Sequence, residues 1–293
     1  MIISNIIGGL GNQMFQYACG RALSLRLKQP LRITTDQFKN YKFHNGFELQ
    51  NVFKLKVPQA TISDLELILG WQRFPIIRKI LSRSKMHWAT CSGWCNEPHF
   101  EFWNGIKDIQ LSAYLHGYWQ SEKYFSDLSD QIRQDFTFNM DWNDFDLGVL
   151  KQMKTQPSAS LHVRRGDYHT IAKNKRIFAL CDINYYREAI CLLRKRVPDI
   201  RIFAFSDDPD WVETYLINEF GPITIIRNNA RERSANDMRL MSYADHHIIA
   251  NSTFSWWGAW LNPSPEKIVI APRLWFIDEK NDQDLIPSNW IRL

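Results

Sequence analysis

The second half of the chain alternates short apolar runs with segments of helical spacing, and this alternation is the strongest constraint on its fold. Apolar runs predict strands at 159–163, 200–205, 223–226, 246–250 and 267–271. Helical spacing predicts helices at 184–196, 211–216, 234–243 and 254–261. Alternating strands and helices with short links favour a parallel sheet that is covered on both faces. The sequence therefore predicts an α/β fold with a doubly wound parallel sheet.

Polar clusters follow three of these predicted strands. They are HVRRGDY at 162–168, SDDPD at 206–210 and NSTFS at 251–255. The carboxyl ends of parallel strands meet at one edge of a sheet, where ligands bind. We therefore expect the three clusters to form one site.

The paired arginines of the first cluster, Arg164 and Arg165, suit a phosphate ligand. A planar guanidinium makes bidentate, charge-assisted hydrogen bonds to phosphate. If the strand continues that far, alternation sends the two side chains to opposite sides, so that one binds a ligand and the other holds the loop. Asp167 either orients an arginine or accepts a proton. The alternative for this cluster is a surface Arg–Asp ion pair.

The other two clusters also have two interpretations each. Hydroxyl groups and free N–H groups at a helix start form a phosphate cradle, and the candidate residues are Asn251, Ser252, Thr253 and Ser255. The same residues are the preferred helix N-caps, so a plain cap is the alternative. Asp207 and Asp208 suit a metal ion, a base or a ribose, or else only a turn and a cap.

The first half opens with a β–turn–α–β pattern. A strand is predicted at 2–7, a glycine-rich turn at 8–13, a helix from Met14 and a second strand at 31–36. Glycines before a helix free N–H groups for an anion. A dinucleotide fingerprint needs glycine where Met14 stands, so that motif is incomplete. A tight turn without a ligand stays open as the alternative.

Composition and charge restrict the class of protein. The chain has 293 residues, 45% of them hydrophobic, and a formal net charge of +5, which fits an anionic ligand. No long Lys/Arg block is present, so we expect no nucleic-acid partner. Five cysteines without a secretory leader make a disulfide framework unexpected. A zinc site at Cys91 and Cys95, which His87 and His99 flank, stays open as an alternative, although the segment is Trp-rich and has no second ligand pair.

We expect a cytoplasmic protein with two domains. Long apolar stretches of about 18 residues are absent from the sequence. Five Lys and Arg residues alternate with apolar ones at 73–85, which suits peripheral contact with an anionic membrane; the alternative is a solvated helix face. The acidic, turn-prone segment 139–147 predicts the boundary between domains at 1–145 and 146–293.

Four motifs together resemble the bacterial and animal α-1,2-fucosyltransferases. They are GGLGNQMFQYA at 8–18, HVRRGDY at 162–168, FSDDPDW at 205–211 and NSTFSWWGAWL at 251–261. The resemblance implies a GT-B architecture, in which two Rossmann-like domains face each other across a cleft. It also implies GDP-fucose as donor, a galactose-terminated glycan as acceptor, inversion at the anomeric carbon, and neither a metal nor a cofactor. The domain at 1–145 is then the acceptor side, and the domain at 146–293 binds GDP-fucose.

The resemblance also implies roles for individual residues. Arg164 binds the diphosphate, His162 and Asp207 lie near the guanosine, and Asn12 faces the reacting groups. The further residues implied in donor binding are Gly11, Gln13, Arg165, Asn251, Ser252, Thr253 and Ser255. Asp167 is the candidate base by sequence, with bracing of Arg165 as its alternative role.

The expected chemistry follows from charge. Cleavage of the fucose–phosphate bond develops positive charge on the sugar and negative charge on the departing diphosphate, and fixed cations and N–H groups stabilise the latter. Two other classes stay open. One is an NAD-type oxidoreductase built on the first β–α–β unit; the other is a nucleotide-sugar-binding protein without activity.

Overall fold

The computed structural model describes residues 1–40, 45–166, 179–227, 233–277 and 281–293. It divides into two compact units. The first unit comprises Met1–Asn139 with Gln283–Leu285, and the second comprises Met140–Asp282 with Ile286–Leu293.

The first unit contains a four-stranded parallel sheet. Its elements are β1 (Ile2–Asn5), α1 (Leu10–Arg26), β2 (Leu31–Thr34), α2 (Leu49–Val52), α3 (Ile62–Leu69), α4 (Pro75–Leu81), β3 (Trp94–Asn96), β4 (Ala113–His116) and α5 (Ser129–Asp135). The strand order is β2-β1-β4-β3. Helix α1 begins at Leu10, four residues before the expected start at Met14, with Gly9 as its N-cap. Residues 11–13 therefore form its first turn and not a glycine loop.

The second unit contains a six-stranded parallel sheet. Its elements are α6 (Asp144–Met153), β5 (Ser158–Val163), α7 (Ile183–Arg196), β6 (Arg201–Ser206), α8 (Pro209–Trp211, the π-helical Val212–Ile217 and Asn218–Phe220), β7 (Thr224–Ile226), α9 (Ser234–Tyr243), β8 (His246–Ile248), α10 (Thr253–Leu261), β9 (Val269–Ala271) and β10 (Ile291–Arg292). The strand order is β10-β9-β8-β5-β6-β7. The predicted parallel α/β fold is confirmed.

Both faces of this sheet are packed, which explains the apolar runs. On β6, Ile202 and Ala204 pack in a core cluster with α7, while Phe203 and Phe205 pack in a second cluster with α6 and α9. Successive side chains of a strand point to opposite faces, so a strand covered on both sides must be apolar throughout. The alternation of apolar and polar residues that identifies a half-buried strand is therefore absent from the sequence of such a strand.

The division between the units lies at 139/140, six residues before the boundary expected at 145/146. Helix α6 belongs wholly to the second unit because its first turn is tied there: Asp146 is buried and accepts a hydrogen bond from Asn236 Nδ2 of α9 at 2.9 Å. Residues 283–285 belong to the first unit because Asp284 accepts a hydrogen bond from the N–H of Phe102 at 2.9 Å. No helix in the described part of the chain is long and apolar enough to cross a membrane.

Candidate functional site

The three polar clusters meet at one edge of the second sheet. Strands β8, β5 and β6 are neighbours, with Leu161 opposite Ile248 and Val163 opposite Ser206. The residues that follow these strands therefore emerge side by side at the carboxyl edge. The expectation that the three clusters share one edge is confirmed.

Asp207 organises the segment that follows β5. Its Oδ2 atom lies 3.0 Å from Nη1 of Arg164, and its Oδ1 atom accepts a hydrogen bond from the N–H of Arg165 at 2.8 Å. Both oxygens of the carboxylate are thus engaged by protein groups. This geometry shows that Asp207 holds Arg164 at the edge. Its expected place near the guanosine stays a prediction.

Gly166 allows this close approach. A Cβ atom at this position would lie 2.9 Å from Oδ2 and 3.2 Å from Cγ of Asp207. Such contacts are shorter than van der Waals distances, so any larger residue would push the carboxylate away from Arg164 and from the N–H of Arg165. The glycine of HVRRGDY is therefore required by packing against Asp207.

The two arginines diverge, as alternation suggests, although β5 ends at Val163. The guanidinium carbon of Arg165 lies 4.5 Å from the ring centroid of Trp211, and its Nε atom lies 3.4 Å from Oδ2 of Asp208. Asp208 also caps α8 by accepting a hydrogen bond from the N–H of Trp211 at 3.2 Å. Arg165 is expected to bind the donor, but these contacts turn it toward α8. Arg164 is the arginine that suits a ligand.

His162 is the buried polar group nearest to this pair along the chain. Its side chain is 6% exposed, and Nδ1 is buried without a hydrogen-bond partner. Burial first and then the charge of Arg164 lower the pKa of His162 to about 3, against the opposing effect of Asp207. The imidazole is therefore neutral at ordinary pH and offers a neutral donor or acceptor.

The cluster at 251–255 separates into two pairs. Asn251 is fully buried and donates through Nδ2 to the carbonyl groups of Ala179 and Trp275. Ser255 is 1% exposed and donates to the carbonyl group of Ser252 at 3.2 Å. Both are expected to contact the donor, but their polar atoms are directed into the protein, where they support the loop.

Ser252 and Thr253 form the start of α10. Ser252 is the N-cap residue, yet its side chain makes no capping hydrogen bond. The plain-cap alternative therefore does not describe this hydroxyl. The ring of Phe254, in the first turn, lies 6.0 Å from the ring of His162. The start of the helix and the buried histidine thus lie close together at the carboxyl edge of the sheet. Asp167 and Tyr168 lie outside the described residues, so the role of Asp167 stays a prediction.

The predicted residues of the first unit lie at the start of α1. Gln13 is fully buried; its amide nitrogen donates to the carbonyl groups of Gly8 (2.9 Å) and Gly46 (2.7 Å), and its oxygen accepts from the N–H of Glu48 at 2.9 Å. The expectation that Gln13 faces the sugar does not fit these bonds, because they hold two loops together. Gly11 is buried in the same turn.

Asn12 is only half buried, and its amide is held on two sides. On one side its Oδ1 atom accepts a hydrogen bond from Gln120 Nε2 at 2.8 Å. On the other side Nδ2 lies beside Gly8, which has a positive φ of 79° and at which an added Cβ atom would come within 2.7 Å of Nδ2. The glycine thus both takes a conformation that other residues avoid and leaves room for the amide.

Glu97 is a residue of this region that sequence reasoning did not identify. It follows β3, and its carboxylate accepts hydrogen bonds from the N–H groups of Tyr118 (2.7 Å) and Trp119 (2.9 Å), which follow β4. Burial raises the pKa of Glu97 to about 7, although these two hydrogen bonds lower it. It holds the loop that carries Gln120. A single acid between Asn96 and Pro98 matches no recognised motif and gives no signal in the sequence.

Among the described residues, no group of three or more His, Cys, Asp or Glu side chains is arranged to hold a metal ion. All five cysteines are free thiols.

The fold corresponds to that of solved fucosyltransferases. The NodZ α-1,6-fucosyltransferase from Bradyrhizobium, soaked with GDP-fucose, matches with a TM-score of 0.54 and 13% identity, over 89% of this chain and 92% of that one. The parallel α/β units and the basic strand edge thus define a protein with the fold of this enzyme class. The family model described as glycosyl transferase family 11 matches residues 104–293. The chain belongs to glycosyl transferase family 11 and is a glycosyltransferase.

Two bacterial relatives match at least 99% of the chain, and an animal relative matches a smaller share. An α-1,2-colitosyltransferase of Escherichia coli is 35% identical, over 100% of this chain and 99% of the relative. The O-antigen biosynthesis glycosyltransferase WbnK of Escherichia coli is 34% identical over 99% of each. The mouse galactoside α-(1,2)-fucosyltransferase 1 is 24% identical, over 87% of this chain and 61% of that protein.

Proposed function

We propose that this chain transfers L-fucose from GDP-fucose to the 2-hydroxyl of a galactose in a surface glycan, such as an O-antigen, with inversion at the anomeric carbon. The observation that carries the proposal is the Arg164–Asp207 pair at the carboxyl edge of the second sheet, beside the start of α10, in a family 11 chain. The NAD-type alternative has no support in this family. The names of the relatives support an α-1,2 linkage and an O-antigen acceptor.

The proposed donor site uses fixed positive charge. Arg164 retains a partly exposed side chain, and its guanidinium is oriented by Asp207 before any ligand arrives. Preorganised charge of this kind stabilises a leaving group without reorganisation in the transition state. The N–H groups at the start of α10 and the hydroxyl of Ser252 offer further donors to a phosphate. Neutral His162 suits an uncharged part of the nucleotide.

In the proposed reaction, the bond between the sugar C1 and the phosphate oxygen breaks as C1 forms a bond to the galactose 2-oxygen. GDP leaves with the bonding electrons, and the acceptor hydroxyl loses its proton. We propose that the reaction uses no cofactor besides the donor. Asp167 stays the candidate for accepting the proton.

A second donor has a specific observation in its favour, since a relative with 35% identity is named a colitosyltransferase. Colitose is fucose without its 3-hydroxyl. A site that hydrogen-bonds a substrate hydroxyl rejects the analogue that lacks it by about 10⁴–10⁵ in kcat/KM, whereas an apolar pocket discriminates far less. The donor preference therefore reports whether the protein binds the 3-hydroxyl.

The experiment is a matrix of donors and acceptors. Purified enzyme is given GDP-fucose or GDP-colitose with lactose, N-acetyllactosamine or a lipid-linked galactoside, and the product linkage is read by NMR. We expect an α-1,2-fucosyl product and little transfer of colitose. The reverse preference assigns a colitosyltransferase. Donor binding by calorimetry without transfer to any acceptor would favour a binding protein and refute the proposal.

A further inference from the structure

Large apolar side chains are exposed along one continuous segment of the first unit. The segment runs from α3 through α4, and we call it the 62–88 surface. Its exposed apolar residues are Ile62, Leu67, Trp71, Phe74, Ile76, Ile80 and Trp88. Exposed apolar residues scattered singly are normal on soluble proteins, whereas their concentration in one place indicates an interaction surface. Trp71 and Trp88 are 63% and 83% exposed, so most of each residue is accessible to solvent.

Helix α4 shows how this surface is built. Its exposed residues Ile76, Lys79 and Ile80, with Arg83 just beyond its end, follow the spacing of one helical face. That face carries apolar and basic side chains in alternation. Such a combination is typical of helices that lie on a membrane surface.

The opposite face of α4 fixes the helix to the unit. Arg78 is 6% exposed; it donates a hydrogen bond to the Tyr114 hydroxyl at 3.2 Å and pairs with the carboxylate of Asp36. Leu81 is packed in the core cluster of the first sheet. The exposed face cannot be turned inward without breaking this buried ion pair, so its apolar side chains face solvent in the isolated unit.

The charge of the 62–88 surface is mostly positive, because its two acids, Asp64 and Glu66, both lie in α3 and the charged residues that follow them are all basic. From residue 67 to residue 96 the sequence contains Arg73, Arg78, Lys79, Arg83 and Lys85 and no acidic residue. The preceding acid, Glu66, is paired with Arg73 at 3.5 Å. The surface is thus complementary to an anionic partner.

We propose that the 62–88 surface docks onto a bilayer of anionic phospholipids. Trp71, Ile76, Ile80 and Trp88 enter the boundary between headgroups and acyl chains, where tryptophan is favoured. Lys79 and Arg83 bind the anionic headgroups. A second copy of the chain is a poorer occupant, because an isologous contact would bring the basic residues of both copies together. The proposal does not depend on which sugar the enzyme transfers.

The test is sedimentation of the full chain with vesicles. We expect binding to phosphatidylcholine vesicles that contain phosphatidylglycerol and little binding to phosphatidylcholine alone. Binding should weaken in high salt because salt screens the attraction to headgroups.

Two double variants separate the apolar and the basic contributions. Ile76→Glu with Ile80→Glu should abolish binding. Lys79→Gln with Arg83→Gln should weaken it about 25-fold, or about fivefold for each residue, since one basic side chain near an anionic surface contributes on the order of 1 kcal/mol. The matched control is Phe145→Glu with Leu147→Glu, which places the same charges at exposed apolar positions of the second unit. It should bind more tightly than the Ile76/Ile80 variant by a wide margin.

Circular dichroism and thermal unfolding establish that each variant is folded, which is expected because all six positions are exposed. Failure of the wild-type chain to bind vesicles with phosphatidylglycerol overturns the proposal. So does equal binding by wild type and both α4 variants. A wild-type dimer that the Ile76/Ile80 variant converts to a monomer, without any vesicle binding, would assign the surface to a second copy instead.

Discussion

The Oδ2 atom of Asp207 lies 3.0 Å from Nη1 of Arg164, while Oδ1 of the same carboxylate accepts a hydrogen bond from the N–H of Arg165. One carboxylate therefore fixes both the backbone that follows β5 and the guanidinium that it carries. Because Gly166 packs against this carboxylate, three residues of one motif are organised by a residue of the next strand.

Replacing Arg164 should abolish most of the transfer activity. Arg164→Ala removes a fixed cation that is proposed to stabilise the leaving diphosphate, and loss of such a contact costs about 2.7–4 kcal/mol, or about 10²–10³ in kcat. Arg164→Lys should recover only part of the rate, because a point charge lacks the planar fork. Initial transfer rates with GDP-fucose measure both effects.

The matched control is Arg187→Ala, which removes an exposed arginine of the same unit that pairs with Glu219 on the surface. Its rate should equal that of the wild type. A folded Arg164→Ala variant with a normal rate would contradict the assigned role.

Gly166→Ala should slow transfer by about three- to tenfold, which corresponds to about 0.7–1.4 kcal/mol in the barrier. The added methyl group meets Oδ2 of Asp207 at 2.9 Å, so the carboxylate must shift away from Arg164. Steady-state kinetics and thermal unfolding of the same sample distinguish this effect from unfolding.

Gly148→Ala is the control for that substitution. Gly148 lies within α6, and an added Cβ atom there meets nothing within 4 Å. Alanine should raise stability by about 0.5–1 kcal/mol, because glycine loses more entropy in a helix, and leave the rate unchanged. If both alanine variants keep the wild-type rate, close packing against Asp207 is not needed for activity.

Much of the fold could be predicted from the sequence, because a long element shows the spacing of apolar residues that is typical of a helix or of a buried strand. Helix α9 was predicted with its observed bounds, and β5 within one residue. Strands β3 and β10 were not predicted. They have three and two residues, respectively, and both lie at sheet edges, where one side lacks a neighbouring strand. A segment of two or three residues is too short to show the pattern of apolar residues that predicts a strand.

The site was predicted at the level of its clusters and less well at the level of single side chains. A motif shows which polar residues are close in the chain, but not which of them point inward. Gln13 and Asn251 bind backbone carbonyl groups that are distant in sequence, at Gly46 and Trp275. Only tertiary structure brings such partners together, so a sequence motif cannot identify them. The contact of Glu97 with the N–H groups of Tyr118 and Trp119 could not be predicted for the same reason.

Transfer should survive an excess of EDTA. Asp207 is engaged by Arg164 and by the N–H of Arg165, and Asp208 caps α8, so their carboxylates are committed to other contacts. Rates are compared before and after chelation, with added magnesium or manganese as the second arm. Loss of activity on chelation that manganese restores would identify these acids as metal ligands.

The free energy of unfolding should depend on pH because of Glu97. Its pKa in the folded state, about 7, lies above the ordinary value of 4.5, so the folded state holds the proton more tightly between these values. Its contribution is therefore most favourable at low pH and declines as pH rises through about 7. Glu97→Gln cannot lose a proton and should not share this decline.

Denaturant unfolding of the wild type and of Glu97→Gln, from about pH 5 to about pH 8, measures the difference between their free energies of unfolding. The contributions of the other titrating groups largely cancel in this difference. The stability of the wild type relative to the Gln variant should fall across this range. Parallel curves would show that burial does not perturb Glu97 as the structure indicates.

Substitutions at Asn251 and Ser252 should have opposite consequences. Asn251→Ala removes a donor from the carbonyl groups of Ala179 and Trp275, of which, among the described residues, only the second keeps another donor, the N–H of Ala179 at 3.4 Å; an unsatisfied buried group costs about 1–3 kcal/mol of stability. Ser252→Ala should cost less than the roughly 1 kcal/mol of a typical N-cap, because its side chain makes no capping bond. It should instead weaken GDP binding, since the hydroxyl is proposed to contact phosphate. Thermal unfolding and calorimetry with GDP on both variants give the comparison. A Ser252→Ala variant that binds GDP like the wild type would remove this hydroxyl from the proposed donor site and leave the N–H groups of α10 as its only contribution there.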